Sequence, residues 1–179
     1  MKDFISLHDE IEYDITISTK AWLLKLLKEG ELDILLIDEE HITDPNLEVI
    51  TVGSVPYILV GTKNTQKLET VSKEPLISRK NIYNNDKAIS HLEDKNHICF
   101  NTKIPVLGNL GVIKGMVKEG IGNVILPYYA VYKEIQSDEF KVIRTIDEVT
   151  DSYQIVITKD KKNLAHIIKF INFVKNFKL

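Results

Sequence analysis

The sequence predicts an α/β fold, because strand-like and helix-like patterns alternate along its 179 residues. Short runs that are apolar throughout or at every second position are followed by stretches whose apolar residues recur every three or four positions. Hydrophobic residues make up 44% of the chain and charged residues 27%, which is enough apolar material for a core. The chain shows no internal repeat. We therefore expect a largely parallel sheet covered by helices.

The N-terminal third predicts two strands, a helix and a long extended stretch. Residues Ile11–Ile17 alternate apolar and polar side chains, as a half-buried strand does. Ser18-Thr19 then begins a helix that Gly30 ends. The nearly all-apolar run Leu32–Ile37 suits a central parallel strand. Residues Leu47–Thr62 form a long extended stretch, and the glycine and proline inside it predict a bend or bulge.

The rest of the chain continues the alternation of short strands and helices. Its predicted strands are 75–78, 97–100, 124–126, 140–143 and 153–158. Its predicted helices are 84–94, 107–119, one that begins at Pro127, and a C-terminal helix through residues 164–174, with 64–73 as a short helix or loop. The long stretch at 47–62 and the late strands at 140–158 suggest two crossings between two lobes.

Composition excludes several classes of protein. The chain has 23 Lys and Arg against 26 Asp and Glu, so its net charge of −3 offers DNA no overall positive field. Its one cysteine, Cys99, lies in an apolar run, where a buried small side chain is expected rather than a nucleophile. No stretch reaches the roughly 18 apolar residues that a membrane span needs, and charged residues follow Met1, so we expect a cytoplasmic protein without membrane contact.

Ligands of parallel α/β sheets bind beyond the carboxyl ends of strands, at helix N-termini. Ser18 and Thr19 follow one predicted strand and begin a helix. Asn101 and Thr102 follow the predicted strand 97–100. Short polar side chains at these positions either cap a helix or contact a ligand. We take these four residues as the candidate binding site, and helix N-termini favour an anionic or carboxylate-bearing molecule.

Metal and nucleotide sites have weaker support. Asp38-Glu39-Glu40-His41 could hold a cation, but no second histidine or spaced carboxylate accompanies it, so a solvated turn is the better interpretation. Gly120-Ile121-Gly122-Asn123 precedes a strand, whereas a phosphate-binding loop follows one. The sequence therefore predicts no metal and no cofactor.

Catalytic motifs do not appear either. None of the histidines falls in a His-Glu-x-x-His pattern, and no Gly-x-Ser-x-Gly elbow is present. The histidines are His8, His41, His91, His97 and His166. The sequence favours a binding protein over an enzyme.

Several segments resemble one known family, in order and over nearly the whole chain. Leu26–Ile37 (LLKEGELDILLI) is similar to the Leu-x-x-Gly-Glu-Leu-Asp segment in the effector-binding domain of LysR-type transcriptional regulators. Val117–Pro127 (VKEGIGNVILP) is similar to that family's Val-x-x-Gly-x-Gly segment ending in Leu-Pro. Phe4–Ile15 resembles the end of its first helix and its second strand, Pro56–Val60 its first hinge strand, and Glu74–Ile77 the strand that follows.

The resemblance implies a two-lobed fold of the type 2 periplasmic-binding-protein kind, with a small-molecule effector bound between the lobes. Lobe I is then expected at 1–58 plus 157–179 and lobe II at 59–156. The resemblance also implies that DNA is bound through a separate winged helix-turn-helix domain, which nothing in this chain resembles. The first strand of the family's lobe I precedes the point that Met1 matches, so we expect this lobe to lack it.

The resemblance further implies a homodimer, in which Ile11–Ile17 meets the helix 107–119 of a partner. The alternative is a solute-binding protein or a small-molecule enzyme domain, such as a prephenate-dehydratase-like one, with the same two-lobed fold. A solute-binding protein would carry an export signal, and an enzyme would need a catalytic constellation.

Overall fold

The computed structural model describes residues 2–38, 42–64, 67–79, 83–107 and 109–176. Its helices are α1 (Lys2–Leu7), α2 (Lys20–Glu29), α3 (Leu68–Val71), α4 (Tyr83–Asn96), α5 (Leu110–Lys118), α6 (Tyr128–Gln136) and α7 (Ala165–Asn176). Its strands are β1 (Leu35–Asp38), β2 (Leu47–Thr62), β3 (Leu76–Arg79), β4 (Lys103–Val106), β5 (Asn123–Pro127) and β6 (Phe140–Thr158). The fold is α/β, as the sequence predicts.

The chain folds into two compact units. Unit 1 comprises Met1–Ser54 and Ser152–Leu179, and unit 2 comprises Val55–Asp151. The chain passes from one unit to the other inside β2 and again inside β6. The predicted lobe boundaries at 58/59 and 156/157 fall in these same two strands.

The strands are hydrogen-bonded in the order β1-β6-β2-β5-β3-β4. The pairs β1–β6 and β2–β5 are antiparallel, with Leu35 opposite Val156 and Ile58 opposite Leu126. Strand β3 runs parallel to both β4 and β5. The expectation of a largely parallel sheet is therefore correct only for the three strands β3, β4 and β5, because β2 and β6 each run antiparallel to the short strands beside them.

Unit 1 has two apolar clusters. In the first, Phe4 of α1 is 1% exposed and meets the rings of Phe170 and Phe173 on α7, with ring centroids 5.1 and 5.0 Å apart. In the second, Leu27 of α2 packs on β1 and on Val156 of β6. Helix α2 ends where the sequence predicts, because Gly30 adopts a φ of +82° that glycine tolerates without strain.

Unit 2 is covered on both faces of its sheet. Helix α4 packs Ala88, Ile89 and Leu92 against one face. Helices α5 and α6 pack against the other face, where Ile113 and Val131 are fully buried. Burying each such side chain contributes about 1.5–3 kcal/mol, so these two layers hold the central strand β5 between them.

The predicted strand Ile11–Ile17 is wrong. These residues have no regular secondary structure, and Ile15 and Ile17 are 58% and 93% exposed. A strand exists only where another strand pairs with its backbone, and among the described residues none lies beside this segment. The alternation of apolar and polar residues is present in the sequence, but it does not provide the partner strand that a β-strand needs.

The predicted central strand Leu32–Ile37 is also placed wrongly. The strand that forms is Leu35–Asp38, at the edge of the sheet and antiparallel to β6. Its neighbour comes from a segment more than a hundred residues later, which local apolar content cannot reveal.

The predicted strand 97–100 lies six residues too early. Helix α4 continues to Asn96 and then closes, with the backbone N–H of Ile98 donating to the Glu93 carbonyl and His97 at a φ of 53°. The strand of this region is β4 at Lys103–Val106. Cys99 lies in the connection and is exposed, so the expectation that it is buried is wrong.

The other predicted elements are confirmed within a few residues. The long stretch 47–62 is β2, with strand structure continuing through Gly53 and Pro56, so the expected bend or bulge does not interrupt it. The two predicted late strands are one strand, β6. Among the described residues, no helix has the length and apolar character to cross a membrane.

Candidate functional site

The carboxyl ends of β3, β4 and β5 lie along one edge of unit 2. These three strands are mutually parallel, so they end together at Arg79, Val106 and Pro127. Ligands of open α/β sheets bind at this kind of edge.

The connections at this edge leave the sheet toward opposite faces. The chain leaves β3 through α4 on one face of the sheet and leaves β4 through α5 on the other. Strand β3 lies between the strands that follow these two helices, β4 and β5. The helices diverge at the end of β3, which is the topological switch point where such sheets open.

Asn85 fixes the backbone at this point. Its side chain is fully buried, its Nδ2 donates to the Ile125 carbonyl oxygen at 2.6 Å, and its Oδ1 accepts from the Arg79 backbone N–H at 3.1 Å. The Asn85 side chain, in the first turn of α4, thereby links the end of β3 to β5 through two hydrogen bonds. A buried amide with both ends bonded is a rigid support.

Arg79 places a positively charged residue at this edge. It is the last residue of β3 and is partly buried, and no ion pair to it is seen among the described residues. A guanidinium presents five N–H donors in a planar fork that matches carboxylate and phosphate oxygens. Arg79 is not among the binding residues that the sequence predicts. The signal that could have found it was its position directly after a short apolar strand.

Two further polar groups lie near the same edge. Asn109 is the N-cap of α5, and its side chain accepts from the Val112 backbone N–H at 3.1 Å. The Tyr129 hydroxyl donates to the Asp151 carboxylate at 2.8 Å, just after the end of β5. Asn109 is therefore used as a cap, whereas the exposed ring of Tyr129 is held in place beside the edge.

Ser18 and Thr19 are exposed in unit 1, directly before α2. Thr19 occupies the N-cap position with extended backbone, but its side chain makes no capping hydrogen bond. The Thr19 hydroxyl therefore does not cap the helix, although capping was one of its two expected roles.

Asn101 and Thr102 lie in unit 2, and both are exposed. They precede β4 and do not follow it, so the argument that they stand at the carboxyl end of a strand is wrong. The Thr102 carbonyl oxygen accepts from the Leu76 N–H at 2.8 Å, at the amino ends of β3 and β4. That these two residues share a cleft with Ser18 and Thr19 stays a prediction.

The residue types that bind metals do not gather in the part of the chain that is described. No group of three His, Cys, Asp or Glu side chains is placed to hold an ion there. In the sequence Asp38-Glu39-Glu40-His41, positions 39–41 lie outside the described residues.

Comparison with known proteins agrees with this architecture. The LysR substrate binding domain family matches residues 1–178. An uncharacterized HTH-type transcriptional regulator of Methanocaldococcus jannaschii is 24% identical over 184 residues, covering 97% of this chain and 62% of the relative. The chain therefore spans less than two thirds of that protein's length.

Solved structures share the fold at low sequence identity. The reduced OxyR regulatory domain of Pseudomonas aeruginosa superposes with a TM-score of 0.72 at 14% identity, over 97% of this chain and 87% of that one. CbnR, a LysR family transcriptional regulator, gives 0.71 at 15% identity, over 97% and 62%. The CcmR regulatory domain of Synechocystis, solved in complex with 2-PG, gives 0.66 at 15% identity, over 97% and 86%.

These domains have the two-lobed, periplasmic-binding-protein-like fold that the resemblance implied. With its family matched over residues 1–178, the chain belongs to the LysR substrate binding domain family.

Proposed function

We propose that this chain is the effector-binding regulatory domain of a LysR-type transcriptional regulator and that it binds a small anionic molecule. The observation that carries the proposal is Arg79 at the carboxyl edge of β3, β4 and β5, supported by Asn85. Family membership supports regulation by a small molecule. The CcmR domain, which shares the fold, was solved with a bound small molecule, 2-PG.

Binding rather than catalysis is the activity that the site supports. The Arg79 guanidinium can hold an anion, because charge-assisted hydrogen bonds are the strongest that side chains make. Ser18, Thr19, Asn101 and Thr102 remain proposed contacts. The exposed Thr19 hydroxyl, which makes no capping hydrogen bond, supports the first pair.

A thermal-shift screen of small carboxylates and phosphates tests the site. Among the ligands that stabilise the chain, we expect Arg79→Gln to weaken binding about 10- to 100-fold, since a hydrogen bond to a charged group contributes about 1.5–3 kcal/mol. The matched control is Arg144→Gln, which removes the chain's other arginine from an exposed position of β6. Thr102→Val in the same assay decides whether that hydroxyl contacts the ligand. Equal affinity of Arg79→Gln and the unchanged chain would remove Arg79 from the site.

The partners follow from the same proposal. We propose that DNA is bound through a separate domain of the whole regulator, in the cytoplasm, and that this chain contributes a homodimer contact. The net charge of −3 and the two arginines support a separate DNA-binding part. Two exposed apolar side chains support a protein contact here: Val112 (53%) in the first turn of α5 and Leu107 (79%) shortly before that helix.

A further inference from the structure

The Arg79 side chain lies on the face of the unit 2 sheet that α5 and α6 cover. Side chains of a strand alternate between the two faces of its sheet, so Arg79 shares a face with Ile77, two residues earlier. Ile77 packs in the apolar cluster beneath α5 and α6. Both helices follow strands that end at the same edge as β3, so a group bound by the guanidinium would lie near their first turns.

Partly exposed apolar side chains border Arg79 on this face. Val106, the last residue of β4, is opposite Arg79 in the register of the two strands. It packs against the same apolar cluster as Leu110, the first residue of α5. Both side chains keep part of their surface exposed. The positive charge thus adjoins apolar surface, and small-molecule sites are usually built in this way, from a few polar groups among apolar ones.

Tyr129 adds an aromatic ring on the other side of Arg79. It is the second residue of α6 and follows β5, which lies beside β3 on the side away from β4. Tyr129 is 37% exposed, and its hydroxyl donates to the carboxylate of Asp151, which is 7% exposed. Because this bond ends on a largely buried carboxylate, the ring is held in one orientation with part of its surface open. A ring already held in place contacts a ligand without the entropy loss of being ordered.

The same hydrogen bond determines what Tyr129 offers to a ligand. The phenolic O–H is the one donor of its side chain, and it is directed at Asp151. Tyr129 therefore contributes the ring itself, which packs favourably against another flat ring in an offset or edge-to-face arrangement.

We propose that the effector of this site carries its carboxylate or phosphate on a flat apolar ring, with Arg79 binding the anionic group and Tyr129 contacting the ring. This proposal rests on the proposed effector-binding function and adds a chemical class to it. A guanidinium by itself accepts any small anion. The Tyr129 ring and the apolar surface of Val106 and Leu110 distinguish an aryl anion from a bare one, so Tyr129 is the specificity-determining residue.

Two pairs of anions, matched in their head groups, test the proposal on the 179-residue chain. The pairs are acetate with benzoate and inorganic phosphate with phenyl phosphate, and isothermal titration calorimetry measures each affinity. We expect the aryl member of at least one pair to bind at least 10-fold more tightly than its small partner, since covering a ring removes far more apolar surface from water. Arg79→Gln should weaken both members of a pair by a similar factor, which leaves their ratio unchanged.

Substitutions of Tyr129 separate the role of its ring from that of its hydroxyl. Tyr129→Ala should abolish most of the preference for the aryl anion, whereas Tyr129→Phe keeps the ring and should keep most of the preference. The matched control is Tyr132→Ala, which removes a ring of similar exposure about one turn further along α6 and should leave the preference unchanged. The readout is the ratio of two affinities, because a general loss of stability would lower both members of a pair together.

The outcomes distinguish this proposal from the one on which it rests. Binding of none of the four anions would contradict the anion site itself, and this proposal with it. If aryl and small anions bind equally tightly, or if the preference survives Tyr129→Ala, the anion site stands and the aryl class of effector is wrong.

Discussion

Asn85 is a polar side chain with no exposed surface, and its environment explains why it is tolerated there. Its amide meets a carbonyl of β5 and an N–H of β3, so folding leaves none of these groups without a hydrogen bond. A buried polar group stabilises a fold only while its partners remain in place. The same two bonds hold Arg79 at the end of its strand, so structure and binding depend on one residue.

Asn85→Ala should lower the free energy of unfolding by about 2–4 kcal/mol, because the Ile125 carbonyl loses its partner in a buried region and the Arg79 N–H loses its partner in a partly buried one. Urea unfolding followed by circular dichroism measures this.

Asn96→Ala is the control, since Asn96 makes one half-buried bond, from its Nδ2 to the Leu92 carbonyl. Asn96→Ala should lower the free energy of unfolding by about 1 kcal/mol or less. If the two substitutions lower the free energy of unfolding equally, Asn85 does not link β3 to β5.

At the scale of elements, the join between β3 and β5 depends on a close backbone contact. The Asn123 N–H donates to the Pro75 carbonyl oxygen at 2.9 Å. A Cβ at the preceding residue, Gly122, would lie 2.4 Å from that same oxygen. Only glycine allows the start of β5 to approach the start of β3 this closely.

Gly122→Ala should therefore destabilise the protein by about 1–3 kcal/mol, since the backbone must shift to relieve the overlap. Gly115→Ala is the matched control, because a Cβ there meets nothing within 4 Å inside α5. That change should stabilise the protein by about 0.5–1 kcal/mol through helix propensity. Urea midpoints of the two variants should thus move in opposite directions, and a shared direction would contradict the packing argument.

At the scale of the whole molecule, exposed apolar surface predicts association. Leu107 and Val112 near the start of α5 are mostly exposed, and helices with such surface commonly meet a partner. The proposed homodimer uses this helix, so its stability should depend on the apolar surface there.

Light scattering at about 30 µM should give the mass of a dimer, since association would remove the exposed apolar side chains near α5 from water. Val112→Lys should shift it toward the monomer, because a charge would then be buried in the contact. Lysine at Ile168, 43% exposed on α7, should leave the mass unchanged. A monomer in the unchanged chain would contradict the proposed homodimer.

Elements whose signals are local follow from the amino-acid sequence alone. Helix α2 ends at Gly30 because a left-handed residue stops a helix, and Pro127 precedes α6 because its ring suits a helix start. The two glycine-containing segments, Leu26–Ile37 and Val117–Pro127, together identified the family that the comparison confirms.

Which extended segments form strands, and which charged residues lie at the site, depends on contacts between remote parts of the chain. A strand needs a backbone partner, and partners such as Val156 for Leu35 are remote in sequence, so the pattern at 11–17 could not show that its partner is missing. Likewise, Arg79 is a candidate binding residue because β4 and β5 end beside it. The Asn85 amide that supports it is hydrogen-bonded to Ile125, 40 residues later in the sequence. Strand pairing stabilises residues that are neighbours in space, and the local periodicity of the sequence does not identify those neighbours.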